Sequence, residues 1–139
     1  MSIKSILEAK GPELISVSSG DAVRKVTEVF KREQIGFALV VNTAHTTVGS
    51  VSERDIVQAI AEHGEVGALP VTAIMTTNVV RCSSGATIDH VRELMTSQRT
   101  RHVVVMDGDR AVGVVSIGDI IKHSLDACQR SEEHTSELQ

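Results

Sequence analysis

The sequence predicts an α/β fold built from two pseudo-symmetric β-α-β-β-α units. Two stretches repeat each other: Val48–Ile56 reads VGSVSERDI and Val112–Ile120 reads VGVVSIGDI, so six of nine positions are identical at a spacing of 64 residues. Apolar strand patterns and helical patterns also follow one another in the same order in both halves of the chain. Repetition this regular indicates two copies of one supersecondary unit, each of which needs the other to bury its apolar face.

The predicted strands are short and apolar, three in each copy: Ile15–Val17, Phe37–Val41 and Val48–Val51, then Val79–Cys82, His102–Met106 and Val112–Val115. The middle strand of each copy is almost wholly apolar, as expected for a strand covered on both faces. Between the first two strands, apolar residues recur at helical spacing, at positions 22, 23, 26, 29 and 30 and at 88, 91, 94 and 95. A second helix begins at Ser52 in copy one and at Ser116 in copy two.

The repeat sets the expected domain boundaries. Copy one covers residues 1–62, a linker covers 63–70, and copy two covers 71–128. Residues 129–139 stand apart, because Arg130–Gln139 (RSEEHTSELQ) is polar, lacks apolar periodicity and matches the in-frame translation of a common sequencing adapter. We expect this tail to be non-native read-through, and we assign it no function.

Composition excludes several classes of function. The chain is 41% apolar and 23% charged, so it is expected to fold. A net charge of −4, without Trp or Tyr, argues against a nucleic-acid partner, which needs a basic surface or stacking rings. No apolar run approaches the roughly 20 residues of a membrane helix, and the first residues lack a signal-peptide pattern. A cytoplasmic protein without a membrane partner is therefore expected.

Catalysis and metal binding are also not expected. Cys82 and Cys128 have no metal-ligand spacing, so we predict no metal site. Ser116 has no histidine at a known motif spacing, and Cys82 lies on an apolar strand. No nucleophile, base and orienting group can be assembled from the remaining residues, and the chain is predicted not to be an enzyme.

The two Ser-x-x-Asp turns, Ser52–Asp55 and Ser116–Asp119, have two interpretations. A serine before a helix caps it by accepting a backbone hydrogen bond, and an acid three residues later returns the bond. The same helix N-terminus is also suited to an anion, especially with Arg54 inside the first turn and Gly118 inside the second. From the residues alone, a cap and a binding site both remain open.

Three longer stretches carry a resemblance to a known family. They are Val48–Val57 (VGSVSERDIV), Val71–Ile88 (VTAIMTTNVVRCSSGATI) and Arg99–Ile121 (RTRHVVVMDGDRAVGVVSIGDII). Their doubled order resembles a tandem pair of cystathionine-β-synthase (CBS) domains, or Bateman module, over about residues 1–128. The chain most resembles small stand-alone bacterial CBS-pair proteins with no catalytic domain attached.

The resemblance implies two CBS units packed as one Bateman module that regulates an unknown protein partner. It implies a homodimer, no required cofactor, and an adenine nucleotide such as AMP, ATP or NAD in the cleft between repeats. The alternative hypothesis is a ligand-free structural module, dimerising but with Ser-x-x-Asp turns that serve only as caps.

Residue by residue, the resemblance implies two clefts. The first would be formed by Ser50, Ser52, Arg54, Asp55, Val80, Arg81, Cys82, Arg101 and His102. The second would be formed by Ile15, Val17, Ile35, Phe37, Val114, Ser116, Gly118 and Asp119. The first is more polar and basic, so we expect it to hold the phosphate-bearing ligand and the second to be weaker or empty.

Overall fold

The computed structural model describes residues 2–11 and 14–125. These fall into two compact units. The first unit comprises Ile15–Val79, and the second combines the described residues that precede Ile15 with those from Val80 to residue 125. Cys128 and the predicted non-native tail at 129–139 lie outside the described residues.

The helices and strands of each copy follow the predicted β-α-β-β-α order, with an additional helix before the first strand and a 3-10 helix between the two copies. In chain order they are α1 (Ile3–Lys10), β1 (Ser16–Ser18), α2 (Val23–Glu33), β2 (Phe37–Val41), β3 (Thr47–Ser52), α3 (Glu53–His63), a 3-10 helix (Val71–Ala73), β4 (Arg81–Ser83), α4 (Ile88–Ser97), β5 (His102–Asp107) and β6 (Arg110–Ser116). A last helix, α5, includes residues 117–125 of the described chain. The predicted α/β class and the β-α-β-β-α order are confirmed.

Each unit contains a three-stranded sheet of the same topology. In the first unit β1 pairs with β2 in parallel and β2 pairs with β3 antiparallel; β4, β5 and β6 repeat this arrangement in the second unit. The register shifts at equivalent positions, between Val40 and Val41 and between Val105 and Met106. The repeat in the sequence therefore extends to strand register and to the irregularity in each hairpin.

The strand boundaries differ slightly from the prediction at the start of each copy. Strand β1 begins at Ser16 rather than Ile15, and β4 begins at Arg81 rather than Val79. The reason is pairing: β1 is aligned with Leu39–Val41 and β4 with Val104–Met106, and apolar content alone does not define that register. The middle strands match closely, with Ala38, Leu39 and Val40 buried in succession.

Amphipathic helices close each core against its sheet. Helix α2 buries Val23, Val26 and Phe30, which recur at helical spacing on one face. Helix α4 buries Ile88, Val91 and Met95 in the same way. The two sets of buried side chains form separate clusters, one in each unit. Within the described residues, no helix has both the length and the apolar content required to cross a membrane.

The leading segment of each copy packs in the unit that contains the other copy. Helix α1 is at the start of copy one, but Ile3 and Ile6 are buried in the core of the second unit. The 3-10 helix is at the start of copy two, but Val71 is fully buried in the core of the first unit. The spatial units are therefore offset from the sequence repeats, because each leading segment buries its apolar residues against the other copy.

Candidate functional site

The first turn joins β3 to α3 and contains Ser52 and Asp55. The Ser52 hydroxyl oxygen accepts a hydrogen bond from the Asp55 backbone N–H at 3.2 Å, and Asp55 Oδ2 accepts one from the Ser52 backbone N–H at 2.9 Å. The Ser52 hydroxyl also lies 3.1 Å from Oδ2. This reciprocal arrangement is a capping box, so the predicted capping role is confirmed here.

The second oxygen of Asp55 is bonded to a more distant residue. Asp55 Oδ1 accepts a hydrogen bond from the Thr76 hydroxyl at 3.1 Å. Thr76 is held in place by two backbone hydrogen bonds with Ser50, each 2.8 Å long. Gly49 permits this approach, since a Cβ there would lie 2.7 Å from the Thr76 carbonyl oxygen. The Asp55 carboxylate is thus oriented through both of its oxygens.

The second turn joins β6 to α5 and repeats the capping geometry. Asp119 Oδ2 accepts from the Ser116 backbone N–H at 2.9 Å, and Ser116 Oγ accepts from the Asp119 backbone N–H at 3.1 Å. Here the additional donor is a cation: the Lys10 ammonium lies 2.9 Å from Asp119 Oδ2 and donates to the Val114 carbonyl at 2.7 Å. The two turns therefore share a cap but differ in the charge of the third partner.

The ionisation of Asp119 follows from these contacts. Burial is the largest single effect and raises the pKa of its carboxyl group. The Ser116 backbone hydrogen bond and the Lys10 ammonium lower that pKa, and together they outweigh the effect of burial. The net result is a pKa below the usual aspartate value. Asp119 is therefore charged at neutral pH and is compensated within its own unit.

His102 lies beside the second turn. It is the β-sheet partner of Ser116, and the preceding residue, Arg101, accepts a backbone hydrogen bond from Ile117 at 2.8 Å. Burial lowers the pKa of His102 to about 4; the charges of Lys10 and Arg101 act in the same direction, and that of Asp119 opposes them. His102 is consequently a neutral imidazole at neutral pH.

The residues of the predicted first cleft are divided between the two units. Ser50, Ser52, Arg54 and Asp55 are brought together where β3 meets α3, with Arg54 exposed on the first turn of the helix. The other five are brought together in the second unit, on or beside the paired strands β4 and β5: Val80, Arg81, Cys82, Arg101 and His102. Burial raises the pKa of the Cys82 thiol, so this residue is an uncharged core side chain.

The predicted second cleft is divided in the same way. Val114, Ser116, Gly118 and Asp119 lie together at the second turn. Four apolar residues lie in the first unit, on or beside β1 and β2: Ile15, Val17, Ile35 and Phe37. Val17 is buried in the core of this unit, whereas Ile15 and Ile35 are partly buried and pack against that core.

Sequence reasoning missed two residues that contact the turns, Thr76 and Lys10. Both lie in the segments that lead into a repeat, and each contacts the aspartate of the other repeat. Matching the two copies aligns Gly11 with Thr76 and Lys10 with Met75, so the alignment contains no sign of a shared role. The two residues become predictable only once it is known that the leading segment of each copy packs against the other copy.

Chemically, each turn presents a fixed carboxylate, a serine hydroxyl and a helix N-terminus. A carboxylate with spare lone pairs accepts hydrogen bonds from hydroxyl groups, such as those of a sugar. The backbone N–H groups at the start of a helix favour a neighbouring anion. Among the described residues, no group of three or more His, Cys, Asp or Glu side chains is arranged to hold a metal ion.

The family follows from comparison with known proteins. Residues 5–62 and 63–126 each match the CBS domain family, and the chain belongs to this family. It is 23% identical over 118 residues to the CBS domain-containing protein YhcV of Bacillus subtilis, a match that covers 85% of this chain and 84% of that protein.

Solved structures of CBS proteins share the fold. A CBS-domain containing protein from Agrobacterium tumefaciens, ATU1752, is 34% identical with a TM-score of 0.85, covering 87% of this chain and 91% of that one. The CBS domain protein PAE2072 of Pyrobaculum aerophilum, complexed with AMP, is 26% identical with a TM-score of 0.76, covering 86% and 89%. The CBS domain pair of protein MJ0100, in complex with methylthioadenosine and S-adenosylmethionine, is 25% identical with a TM-score of 0.77, covering 88% and 98%.

Proposed function

We propose that the protein is a non-catalytic regulatory module that binds an adenine nucleotide at the turn between β3 and α3. The observation that carries this proposal is the Asp55 carboxylate, which Ser52 and Thr76 orient at the N-terminus of an eleven-residue helix. In a chain of the CBS family, this carboxylate would accept hydrogen bonds from the ribose hydroxyls. Two similar CBS pairs contain adenosine compounds, one of them AMP.

The charges around the turn support a phosphate-bearing ligand. Arg54 is exposed two residues after the cap, and a guanidinium forms forked hydrogen bonds with phosphate oxygens. The helix N-terminus adds a partial positive charge at the same point. Contributions to the same ligand from Val80, Arg81, Cys82, Arg101 and His102 stay a prediction from the family resemblance.

Thermal unfolding with AMP, ADP, ATP, NAD and S-adenosylmethionine tests the proposal. A ligand at 100 times its dissociation constant adds about 2.7 kcal/mol to the free energy of unfolding. We expect at least one of these compounds to raise the melting midpoint by several degrees. If none of them does so at millimolar concentration, the proposed function is wrong.

Asp55→Ala and Asp119→Ala are a matched pair for locating the ligand. Each variant loses one half of a capping box, and we expect each to lose about 1 kcal/mol of stability without ligand. Only Asp55→Ala is expected to lose the ligand-induced rise in melting temperature. If the ligand raised the melting temperature of both variants equally, the ligand would not bind at the first turn.

A second candidate is the ligand-free structural module. It is favoured by one observation: both turns form complete capping boxes from protein groups alone. In this case the two aspartates are caps only. Isothermal titration showing no heat with any of the five compounds, together with an unchanged fold, would support this candidate.

We also propose that the module is a homodimer formed through α3 and α5. Helix α3 exposes Val57 by 64%, and α5 exposes Ile121 and Leu125 by 52% and 58%. Val57 and Ile121 are matched positions of the repeat, so the equivalent helix of each copy exposes an apolar side chain at the same position. An unknown protein partner that responds to the ligand remains part of the proposal.

A further inference from the structure

The two Ser-x-x-Asp turns bind different groups of their own chain. In the first turn, Asp55 accepts a hydrogen bond from Thr76, a neutral hydroxyl, at 3.1 Å. In the second turn, Asp119 accepts one from the Lys10 ammonium at 2.9 Å. Both hydrogen bonds have a carboxylate as the acceptor, but only the ammonium also carries a positive charge that cancels the charge of the carboxylate.

The position of Lys10 is determined by the packing of α1. Ile3 and Ile6 are buried in the core of the second unit, and Leu7 lies against β6. The contact is close, since a Cβ on Gly113 would lie 2.6 Å from the Leu7 side chain. Lys10 is in the last turn of this anchored helix, where a cation also suits the helix dipole.

Lys10 makes two contacts at the turn rather than one. Besides Asp119 it donates to the Val114 carbonyl at 2.7 Å, on the strand that leads into the cap. The lysine side chain is 39% exposed and the Asp119 side chain 21% exposed, so the pair is partly shielded from water. The ammonium therefore neutralises the Asp119 carboxylate and occupies part of the space around Oδ2 that a ligand hydroxyl group would use.

We propose that Lys10 is an internal occupant of the second turn, and that it weakens the binding of the ribose hydroxyls of a nucleotide to Asp119. The inference rests on the proposed function, because it assumes that a Ser-x-x-Asp turn of this chain takes an adenine nucleotide. It makes the two matched turns unequal by an electrostatic contact. It also connects the end of α1 to occupancy of the second turn.

The test measures the second turn alone by isothermal titration with AMP and with adenosine. The full chain carrying Asp55→Ala is compared with the double variant Asp55→Ala/Lys10→Met, which keeps the apolar stem of the lysine. A partly exposed ion pair corresponds to at most about a fivefold factor in an equilibrium constant. We expect the double variant to bind both probes about three- to fivefold more tightly.

Three further variants make the result specific. Lys10→Gln in the Asp55→Ala background also removes the charge, and it controls for any change in packing caused by the Lys10→Met substitution. Lys10→Arg keeps the charge and is expected to leave the weak affinity unchanged. Lys4→Met, an exposed lysine on the same helix, is the matched control for removing one positive charge. Adding Asp119→Ala to the double variant should abolish the gain.

The sign of the change separates the outcomes. Unchanged affinity after removal of Lys10, including no detectable binding in either variant, overturns the proposal. Weaker binding of AMP also overturns it and would make Lys10 a phosphate-binding residue. A separate comparison tests the proposed function itself: if the wild-type chain binds AMP no more tightly than Asp55→Ala does, the first turn is not the nucleotide site.

Discussion

Asp55 and Asp119 have the same local role and different electrostatic surroundings. Both cap a helix through a serine three residues earlier. Asp55 has a neutral hydroxyl from Thr76 as its further partner, whereas Asp119 has an ammonium. At the scale of single residues, this difference favours the first turn as the ligand site and makes the second turn depend on Lys10.

A residue-scale prediction concerns His102 and pH. Folded His102 has a pKa of about 4, below the 6.5 of an unperturbed histidine. Between these values the unfolded chain binds a proton that the folded chain does not, so the free energy of unfolding falls as the pH decreases from 6.5 towards 4. One such proton corresponds to a slope of at most about 1.4 kcal/mol per pH unit. Above pH 6.5 this contribution is constant.

Urea unfolding across this pH range, at fixed protein concentration, is the measurement. We expect His102→Gln to reduce the loss of stability between pH 6.5 and 4 relative to the wild-type chain. The same substitution at His90, an exposed histidine on α4, is the control. An identical pH slope in the wild type and in His102→Gln would contradict the assignment.

At the scale of elements, the leading segments connect the two turns to the rest of the fold. The segment ending at Thr76 packs on β3, and α1 packs on β6. Two glycines at matched positions of the repeat, Gly49 and Gly113, make room for them. They differ in what they meet: the neighbour of Gly49 is a backbone carbonyl, and that of Gly113 is the flexible end of Leu7.

This difference predicts unequal effects of the same substitution. Gly49→Ala forces a Cβ against the Thr76 carbonyl oxygen, and we expect it to cost about 1–3 kcal/mol of stability. Gly113→Ala is expected to cost less, because the Leu7 side chain can change rotamer. Chemical denaturation of both variants measures the difference in their free energies of unfolding. Equal losses of stability would contradict this prediction, because they would mean that the backbone at Thr76 moves as readily as the Leu7 side chain.

At the scale of the whole molecule, the exposed apolar residues on α3 and α5 predict self-association. We expect the chain to be a dimer in solution by light scattering coupled to gel filtration. Val57→Lys combined with Ile121→Lys should shift it towards monomer, because a desolvated lysine at an interface is unfavourable. Val112→Lys, on the exposed part of β6, is the control that adds charge elsewhere. A monomeric wild-type chain would contradict this prediction.

The order of elements could be predicted from the sequence because the signals are local. Strand β2 begins and ends where its apolar run does, and Ser52 and Ser116 precede their helices as the capping pattern indicates. The duplicated pattern also predicted two copies of one topology, and the family match confirms it. Each of these features depends on residues close in the sequence, so periodicity and spacing are sufficient.

The environment of the candidate site was decided only by tertiary structure. Thr76 lies 21 residues from Asp55, and Lys10 lies 109 residues from Asp119. Each donor reaches its aspartate because a leading segment buries apolar residues in the other copy: Val71 in the first unit, Ile3 in the second. The sequence by itself determined two capped turns of equal appearance. Long-range packing gave one of them a hydroxyl partner and the other a cation, because burial of the leading segments determines which polar group lies beside each carboxylate.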